Sequence, residues 1–213
     1  MTRPLTSTGT FPGIGPVTSV IGLRLVLGST SAYRRQLLER LGIPFTVAAS
    51  NVDEERLPGE SPVDLVNRLA RAKAEAVAHR NPQSLVIGSD QLAVCGHEVL
   101  GKPGSGERAI VQLKSLSGQR VVFHTAVHVI NTETGTHEGH VDLTTVQFRP
   151  LGDEEIRRYV ARDKPYDCAG GFKVESVGIG LFTRVDSQDP TALIGLPLIW
   201  LTGALRRNGF DVP

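Results

Sequence analysis

The sequence predicts an α/β domain, a mixed β-sheet with flanking helices arranged as two lobes around a cleft. Three observations predict it. Strand-like and helix-like segments alternate from residue 23 onward. Residues 84–94, SLVIGSDQLAV, are apolar on consecutive positions, the pattern of a strand covered on both faces. Residues 120–130 and 141–149 are β-rich and flank Glu133-Thr134-Gly135-Thr136, which reads as a long antiparallel hairpin.

The elements follow in order. Residues 23–28 read as a buried strand, and 32–41 as an amphipathic helix that Gly42 stops. A short strand spans 43–47, and an acidic loop carries Asp53-Glu54-Glu55. Ser61 as N-cap, Pro62 at the first position and Asp64 three residues after the cap open a second helix running to about His79. After the strand at 84–94, Gly96-His97 turns the chain into 98–100, and Gly101-Lys102-Pro103-Gly104 forms a loop. A helix over 107–116 places Ala109, Ile110, Leu113 and Leu116 on one side. Beyond the hairpin, Asp153 is expected to cap a helix over 154–162, residues 168–173 form a glycine-containing loop, 178–184 a strand and 190–208 a closing helical stretch.

Bulk properties exclude several function classes. The 23 basic and 22 acidic residues leave a net charge of +1, without the basic excess that a nucleic-acid partner demands. No apolar run reaches the roughly 18 residues of a membrane span. Cys95 and Cys168 stand far apart with no CxxC, which excludes a structural zinc site and fits a reducing, cytoplasmic compartment. Residues 1–22, rich in Gly, Pro, Ser and Thr, read as a disordered leader, and 23–213 as a single domain. GxGxxG, P-loop, GxSxG and HExxH motifs are all absent.

Four features stand out of place. Arg34 and Arg35 open a helix whose first turn already carries about half a positive charge. Either both point into water, or an anion joins them with the Gly28-Ser29-Thr30-Ser31 turn to form a phosphate pocket. Lys73 interrupts the apolar stripe Val66, Leu69, Ala70 and Val77, and either snorkels to the edge or reaches an anion in the cleft. Asp90 follows Leu85-Val86-Ile87-Gly88-Ser89 and is expected at or near the carboxyl end of a buried strand, where binding crevices of α/β sheets open. The run Asp53-Glu54-Glu55 is either solvated charge or the source of a carboxylate that, with Asp90, serves Mg²⁺ on nucleotide phosphates. The histidines offer less. His124 and His128 share a strand face but sit about 13 Å apart by strand rise, and His137-x-x-His140 falls in the hairpin loop.

Ser29-Thr30-Ser31-x-x-Arg34-Arg35, Val52-Asp53-Glu54, Arg68-Leu69-Ala70-x-x-Lys73-Ala74, Ile87-Gly88-Ser89-Asp90-Gln91, Gly101-Lys102-Pro103 and Cys168-Ala169-Gly170-x-Phe172-Lys173-x-Glu175 together resemble the Maf family of nucleotide pyrophosphatases. The order and spacing hold over residues 23 to about 208. The resemblance implies an inosine triphosphate pyrophosphatase-like fold, a homodimer, and Mg²⁺- or Mn²⁺-dependent cleavage of a nucleoside triphosphate to monophosphate and pyrophosphate. It implies Asp90 as proton acceptor, Glu54 with Asp90 at the metal, and Ser29, Arg34, Lys73 and Lys102 at the phosphates, leaving Arg35 to face water.

Three positions tied to base choice in the family match Tyr33, Gln91 and Glu175. The pyrimidine branch, acting on dTTP and UTP, carries Thr and Gln at the last two of these. Gln91 and Glu175 resemble the branch acting on 7-methyl-GTP, which removes modified nucleotides from the pool. N7-methylated guanine is cationic, so stacking on Tyr33 gains about 0.5–2 kcal/mol, and Glu175 can accept its N1–H and N2–H donors. Tyr33 stands where this branch often has Trp, Gly171 where Ser is frequent and Ser176 where Gly is usual. The alternatives are a dTTP/UTP pyrophosphatase of the same family and a nucleotide-binding regulator of septum formation, which would need the binding residues but not Asp90. A hydrolase of deaminated purines such as ITP shares the fold but not these motifs.

Overall fold

The computed structural model describes residues 22–212, so the leader expected over 1–22 lies, except for Gly22, outside the described residues. Seven strands form one mixed sheet: β1 (Arg24–Leu27), β2 (Phe45–Val47), β3 (Ser84–Cys95), β4 (Glu98–Leu100), β5 (Arg120–Asn131), β6 (His137–Phe148) and β7 (Phe182–Asp186). Their order is β2-β1-β3-β5-β6-β7, with β4 paired to β3. The helices are α1 (Ala32–Glu39), α2 (Pro62–Ala78), α3 (Gly106–Leu116), α4 (Asp153–Asp163) and α5 (Leu198–Arg207).

The pairing of β3 makes the cleft. One edge runs antiparallel to β5 along residues 85–95. The other pairs in parallel with β1 over residues 84–87 and antiparallel with β4 over 93–95. Residues 88–92 are left open on that edge, between a lobe built on β1 and β2 and a lobe built on β4. Asp90 and Gln91 lie in this gap. The expectation that Asp90 ends a strand is therefore corrected: it sits mid-strand, at the point where the parallel partner stops.

Each lobe has its own apolar core. In the first, Leu25, Leu27, Leu85, Ile87 and Val127 pack against Leu37 and Leu38 of α1 and Leu201 and Leu205 of α5. In the second, Val121, Phe123, Val146 and Phe148 pack against Leu113 of α3 and Ile156 of α4. Helix α2 covers the other face of the sheet, setting Val77 on Val26 and Val86, and Val66 and Ala70 on Ala126. Its start agrees with the sequence: the Ser61 side chain accepts from the Asp64 N–H, and Pro62 is the first helical residue. Gly88 lets α2 come this close, because a Cβ there would lie 2.5 Å from the Ala74 nitrogen and 2.7 Å from the Ala74 Cβ.

Four further expectations are corrected. Gly152, not Asp153, is the N-cap of α4. Asp153 instead enters the first turn with Glu154 and Glu155, where carboxylates complement the helix dipole, and pairs with Lys114 at 2.5 Å. The strand expected over 178–184 is a 3-10 helix, Val177–Leu181, followed by β7. Gly178 permits that compact turn, since a Cβ would collide with the Lys173 backbone. The stretch over 190–208 divides into a short 3-10 turn, Ala192–Ile194, and α5, because Pro197 can start a helix but not continue one. Finally, His137 and His140 belong to β6 rather than the hairpin loop. His137 Nε2 meets His128 Nδ1 at 2.7 Å, and His128 Nε2 meets Asn67 Oδ1 at 2.8 Å.

Two stability measurements follow from this packing. Gly88→Ala forces α2 off β3 and is expected to lower the urea unfolding free energy by about 1–3 kcal/mol. Gly180→Ala, with nothing within 4 Å of the added carbon, stays near wild type. Burial, with His137 and Arg71 adding, moves His128 from 6.5 down to about 4. The unfolded chain then takes up an extra proton between those values. The stability conferred by neutral His128 is complete above about pH 6.5 and is lost as the pH falls toward 4. His128→Gln should flatten the urea midpoint across that window, and an unchanged slope would rule out His128 as its source.

Candidate active site

The site is built where β1 ends. Gly28 donates its N–H to the Ile87 carbonyl at 2.7 Å, turning the chain from strand to helix. Ser31 caps α1 by accepting from the Arg34 N–H, and the Ser29 hydroxyl accepts from the Ser31 N–H at 3.2 Å. Ser29 is buried and Thr30 exposed, so the turn presents hydroxyls and helix N–H groups along the cleft wall.

The arginine pair divides. Arg34 turns inward, donating from Nε to the Gly195 carbonyl at 2.9 Å and from Nη1 to Ser29 Oγ at 3.3 Å. Arg35 is exposed and pairs with Glu39 one turn along the helix at 2.9 Å. Burial draws the Arg34 guanidinium below the ordinary arginine range, while Asp90 and Glu54 push it back up. It remains a cation facing the cleft.

Lys73 does not snorkel. It projects from α2 into the gap and lies 2.6 Å from Asp90 Oδ1 and 2.6 Å from Glu54 Oε1. The side chains of Lys73 and Asp90 are 9% and 10% exposed, so this contact forms largely out of water, whereas Glu54 is 61% exposed on the cleft side. The hydrogen bond from Lys73 holds the Glu54 carboxyl below its usual range against the effect of burial, and Lys102 and Arg34 add to the lowering. Lys102, in the loop after β4, lines the same cavity of about 660 Å³ as Ser29, Arg34, Glu54, Lys73 and Asp90. One cleft therefore holds all six residues that the sequence reading assigned to phosphates, metal and proton transfer.

Glu54 and Asp90 supply oxygen donors only. That suits Mg²⁺ or Mn²⁺ bound chiefly through water and phosphate oxygens. Among the described residues no group of three or more His, Cys, Asp or Glu side chains could hold a metal, so a closed all-protein site is not built here.

A second cavity opens beside the first, lined by Tyr33, Gln91 and Glu175 together with Phe123 and Phe172. The three residues matched to base choice thus share one wall. Tyr33 donates its hydroxyl to Asp167 Oδ1 at 3.1 Å, and Lys173 Nζ lies 5.9 Å from the Tyr33 ring centroid. Burial raises the Tyr33 hydroxyl, which stays protonated. Burial also pushes the Cys168 thiol up to about 11, which makes it a poor nucleophile at neutral pH. Asp90 and Gln91 are neighbours in β3, so their side chains leave opposite faces of the sheet. Only the open edge at 88–92 lets one cleft reach both.

Sequence reasoning missed the groups that hold these side chains. The Gly195 carbonyl accepts from both Arg34 and Ser89, and the Ala192 and Leu193 carbonyls accept from Gln91. Backbone carbonyls carry no residue signature. The one local signal was Gly195 between Pro190 and Pro197, whose φ of 129° only glycine adopts readily.

The chain is similar to known proteins over most of its length. The family model of the Maf-like proteins matches residues 24–208. The 7-methyl-GTP pyrophosphatase of Pseudomonas putida is 52% identical over 191 residues, covering 90% of this chain and 100% of the relative. That of Aromatoleum aromaticum is 53% identical over 190 residues, 89% of this chain and 98% of the relative. The solved structure of the Staphylococcus aureus Ham1 protein superposes with a TM-score of 0.50 at 16% identity, over 87% of this chain and 99% of that one. It shares the fold.

The two arginines provide a test. With Arg34 assigned to the phosphates, Arg34→Ala is expected to cost a charge-assisted contact of about 1.5–3 kcal/mol, so KM for a nucleoside triphosphate should rise roughly ten- to a hundredfold. Arg35→Ala should leave KM within twofold, about the change expected from losing an exposed surface pair. Equal losses in steady-state kinetics would show that the inward and outward assignments are wrong.

Proposed function

The chain belongs to the Maf family, and we propose that it is a nucleoside triphosphate pyrophosphatase that hydrolyses 7-methyl-GTP between the α- and β-phosphates. The products are 7-methyl-GMP and pyrophosphate. The observation that carries the reading is the meeting of two unlike cavities at β3 residues 88–92. One is charged and holds Lys73 between Glu54 and Asp90. The other shares Tyr33, Gln91, Arg34 and Lys102 with the first and adds Glu175 and the rings of Phe123 and Phe172.

In this reading the triphosphate lies along Ser29, Arg34, Lys73 and Lys102, whose donors match its oxygens. Asp90 accepts the proton of the attacking water as its oxygen forms a bond to phosphorus. The bridging P–O bond breaks, and pyrophosphate leaves with the electron pair. Lys73 fixes the orientation of Asp90 through Oδ1, so that the other carboxylate oxygen is the one presented to water. Glu54 and Asp90 would hold a Mg²⁺ or Mn²⁺ ion, which when bound neutralises phosphate charge.

On the base side, Tyr33 offers a flat face to the methylated, cationic purine. The Glu175 carboxylate is exposed beside it and accepts N–H donors. The names of the relatives support the same base. The reading also carries a cytoplasmic location, supported by the free thiols of Cys95 and Cys168, and a homodimer, which the family resemblance supplies. Among the described residues no helix is long and apolar enough to cross a membrane.

The proposal is tested by a panel of 7-methyl-GTP, dTTP, UTP, ITP and the standard nucleotides with pyrophosphate detection, with and without Mg²⁺ or Mn²⁺. The expected result is metal-dependent turnover that is highest on 7-methyl-GTP. Asp90→Asn should lose about 10²–10⁴ in kcat while nucleotide still binds by calorimetry. A variant retaining a third of wild-type kcat would remove Asp90 as proton acceptor and favour a binding regulator over an enzyme.

A further inference from the structure

Gln91 and Thr125 are directly paired across β3 and β5, and their side chains leave the sheet on the same face. The Thr125 hydroxyl donates to the Ala192 carbonyl at 2.9 Å, which leaves its oxygen to act as an acceptor. The Gln91 amide nitrogen lies 2.9 Å from that oxygen, 2.9 Å from the Ala192 carbonyl and 3.1 Å from the Leu193 carbonyl. Two of these three acceptors are carbonyls that can never donate. Turning the amide over would set its oxygen against three oxygens, so the chemistry of the surroundings dictates which end is nitrogen. Thr125 is 1% exposed and Ala192 0%, so these acceptors lie out of bulk water, where an amide oxygen set against them would go unpaired. The amide N–H groups are used within the protein. The carbonyl oxygen is the end left for the cavity that Gln91 shares with Tyr33 and Glu175.

We infer that Gln91 reads the base as an obligate hydrogen-bond acceptor, held so by Thr125 and the Ala192 and Leu193 carbonyls, and that the base pocket thereby selects a base edge of N–H donors. The inference rests on the proposed reading of this cavity as the base site and deepens it. Glutamine ordinarily serves donors and acceptors alike by rotating its amide, and here the tertiary structure removes one of the two faces. Glu175 adds a second acceptor on the same wall. Guanine presents N1–H and an exocyclic amine together. Uracil and thymine present a single N–H between two carbonyls, so at least one carbonyl would meet an acceptor across the pocket and go unpaired. Thr125 lines neither cavity and is a positioning residue, acting through Gln91.

The test compares Gln91→Glu and Gln91→Met in the full chain on 7-methyl-GTP and UTP. Gln91→Glu keeps the shape and adds negative charge beside a cationic base, so polarity alone would favour it. The inference expects the reverse. Its second carboxylate oxygen would face three oxygens, and kcat/KM for 7-methyl-GTP should fall about tenfold or more, as far as for Gln91→Met. Gln91→Met should leave UTP unchanged or improved. Thr125→Val should raise KM for 7-methyl-GTP severalfold at unchanged kcat, and Thr125→Ser, which keeps the hydroxyl, should restore it. Three results would each overturn the inference: a Gln91→Glu variant at or above wild-type kcat/KM on 7-methyl-GTP, equal losses on both nucleotides in Gln91→Met, or a wild-type KM in Thr125→Val. The Thr125 pair decides the matter if Gln91→Glu fails to fold. A wild-type protein that spares 7-methyl-GTP but cleaves another guanine nucleotide overturns the substrate reading alone, and the variants are then compared on that nucleotide; a preference for an adenine nucleotide, whose N1 is an acceptor, overturns both. A wild-type preference for UTP or dTTP overturns both.

Discussion

The approach of α2 to β3 at Gly88 is the contact on which the site depends. No side chain stands between the strand and the backbone of Ala70 and Ala74, so the helix lies directly on the sheet. Lys73, on the same turn, reaches Asp90 two residues further along the strand. A larger residue at 88 would lift the helix and draw the ammonium away from the carboxylate. Because that pair is largely out of water, separating it would leave two uncompensated charges, which is far less favourable than breaking a surface pair. The packing and the electrostatics of the site are thus one constraint.

The second governing feature is the divided edge of β3. Strand β5 pairs along its length, while β1 and β4 cover only its two ends. The uncovered middle is where a strand can be approached from the side. Neighbouring residues then do different work: Asp90 faces α2 and the charged cavity, and Gln91 faces the segment around Ala192. The strand edge thus presents one residue to each side, and the loops that carry Glu54, Lys102 and Glu175 complete the two cavities.

The surroundings of Gln91 are held by segment 189–199. Asp189 is 4% exposed and accepts from the Thr191 N–H and hydroxyl and from the Ile199 N–H at the start of α5. This holds the Ala192, Leu193 and Gly195 carbonyls in place, and they in turn hold Thr125, Gln91, Arg34 and Ser89. Side chains fixed by a second layer of hydrogen bonds are preorganised, so binding need not order them.

Periodicity and end signals by themselves determined most of the elements: the buried run at 84–94, the Ser61-Pro62 start of α2 and the long hairpin are local patterns that any packing would respect. The same reading singled out Lys73, Asp90 and Glu54, because charges in apolar or strand-end settings are conspicuous in one dimension. It misplaced Asp90 at a strand end, since the sequence records where β1 stops but not which strand it lies beside. It began the last strand at 178 rather than 182, because an apolar run with two glycines suits a strand or a tight turn equally, and the Lys173 backbone decides between them. It could not pair His137 with His128 or bind Gln91 to the Ala192 and Leu193 carbonyls, contacts that span 9 and about 100 residues of chain. Residue types and short-range spacing are written in the sequence. The orientation of the Gln91 amide and the anchoring of Arg34 on the Gly195 carbonyl were decided by backbone groups from distant segments, and those become neighbours only when the chain is folded.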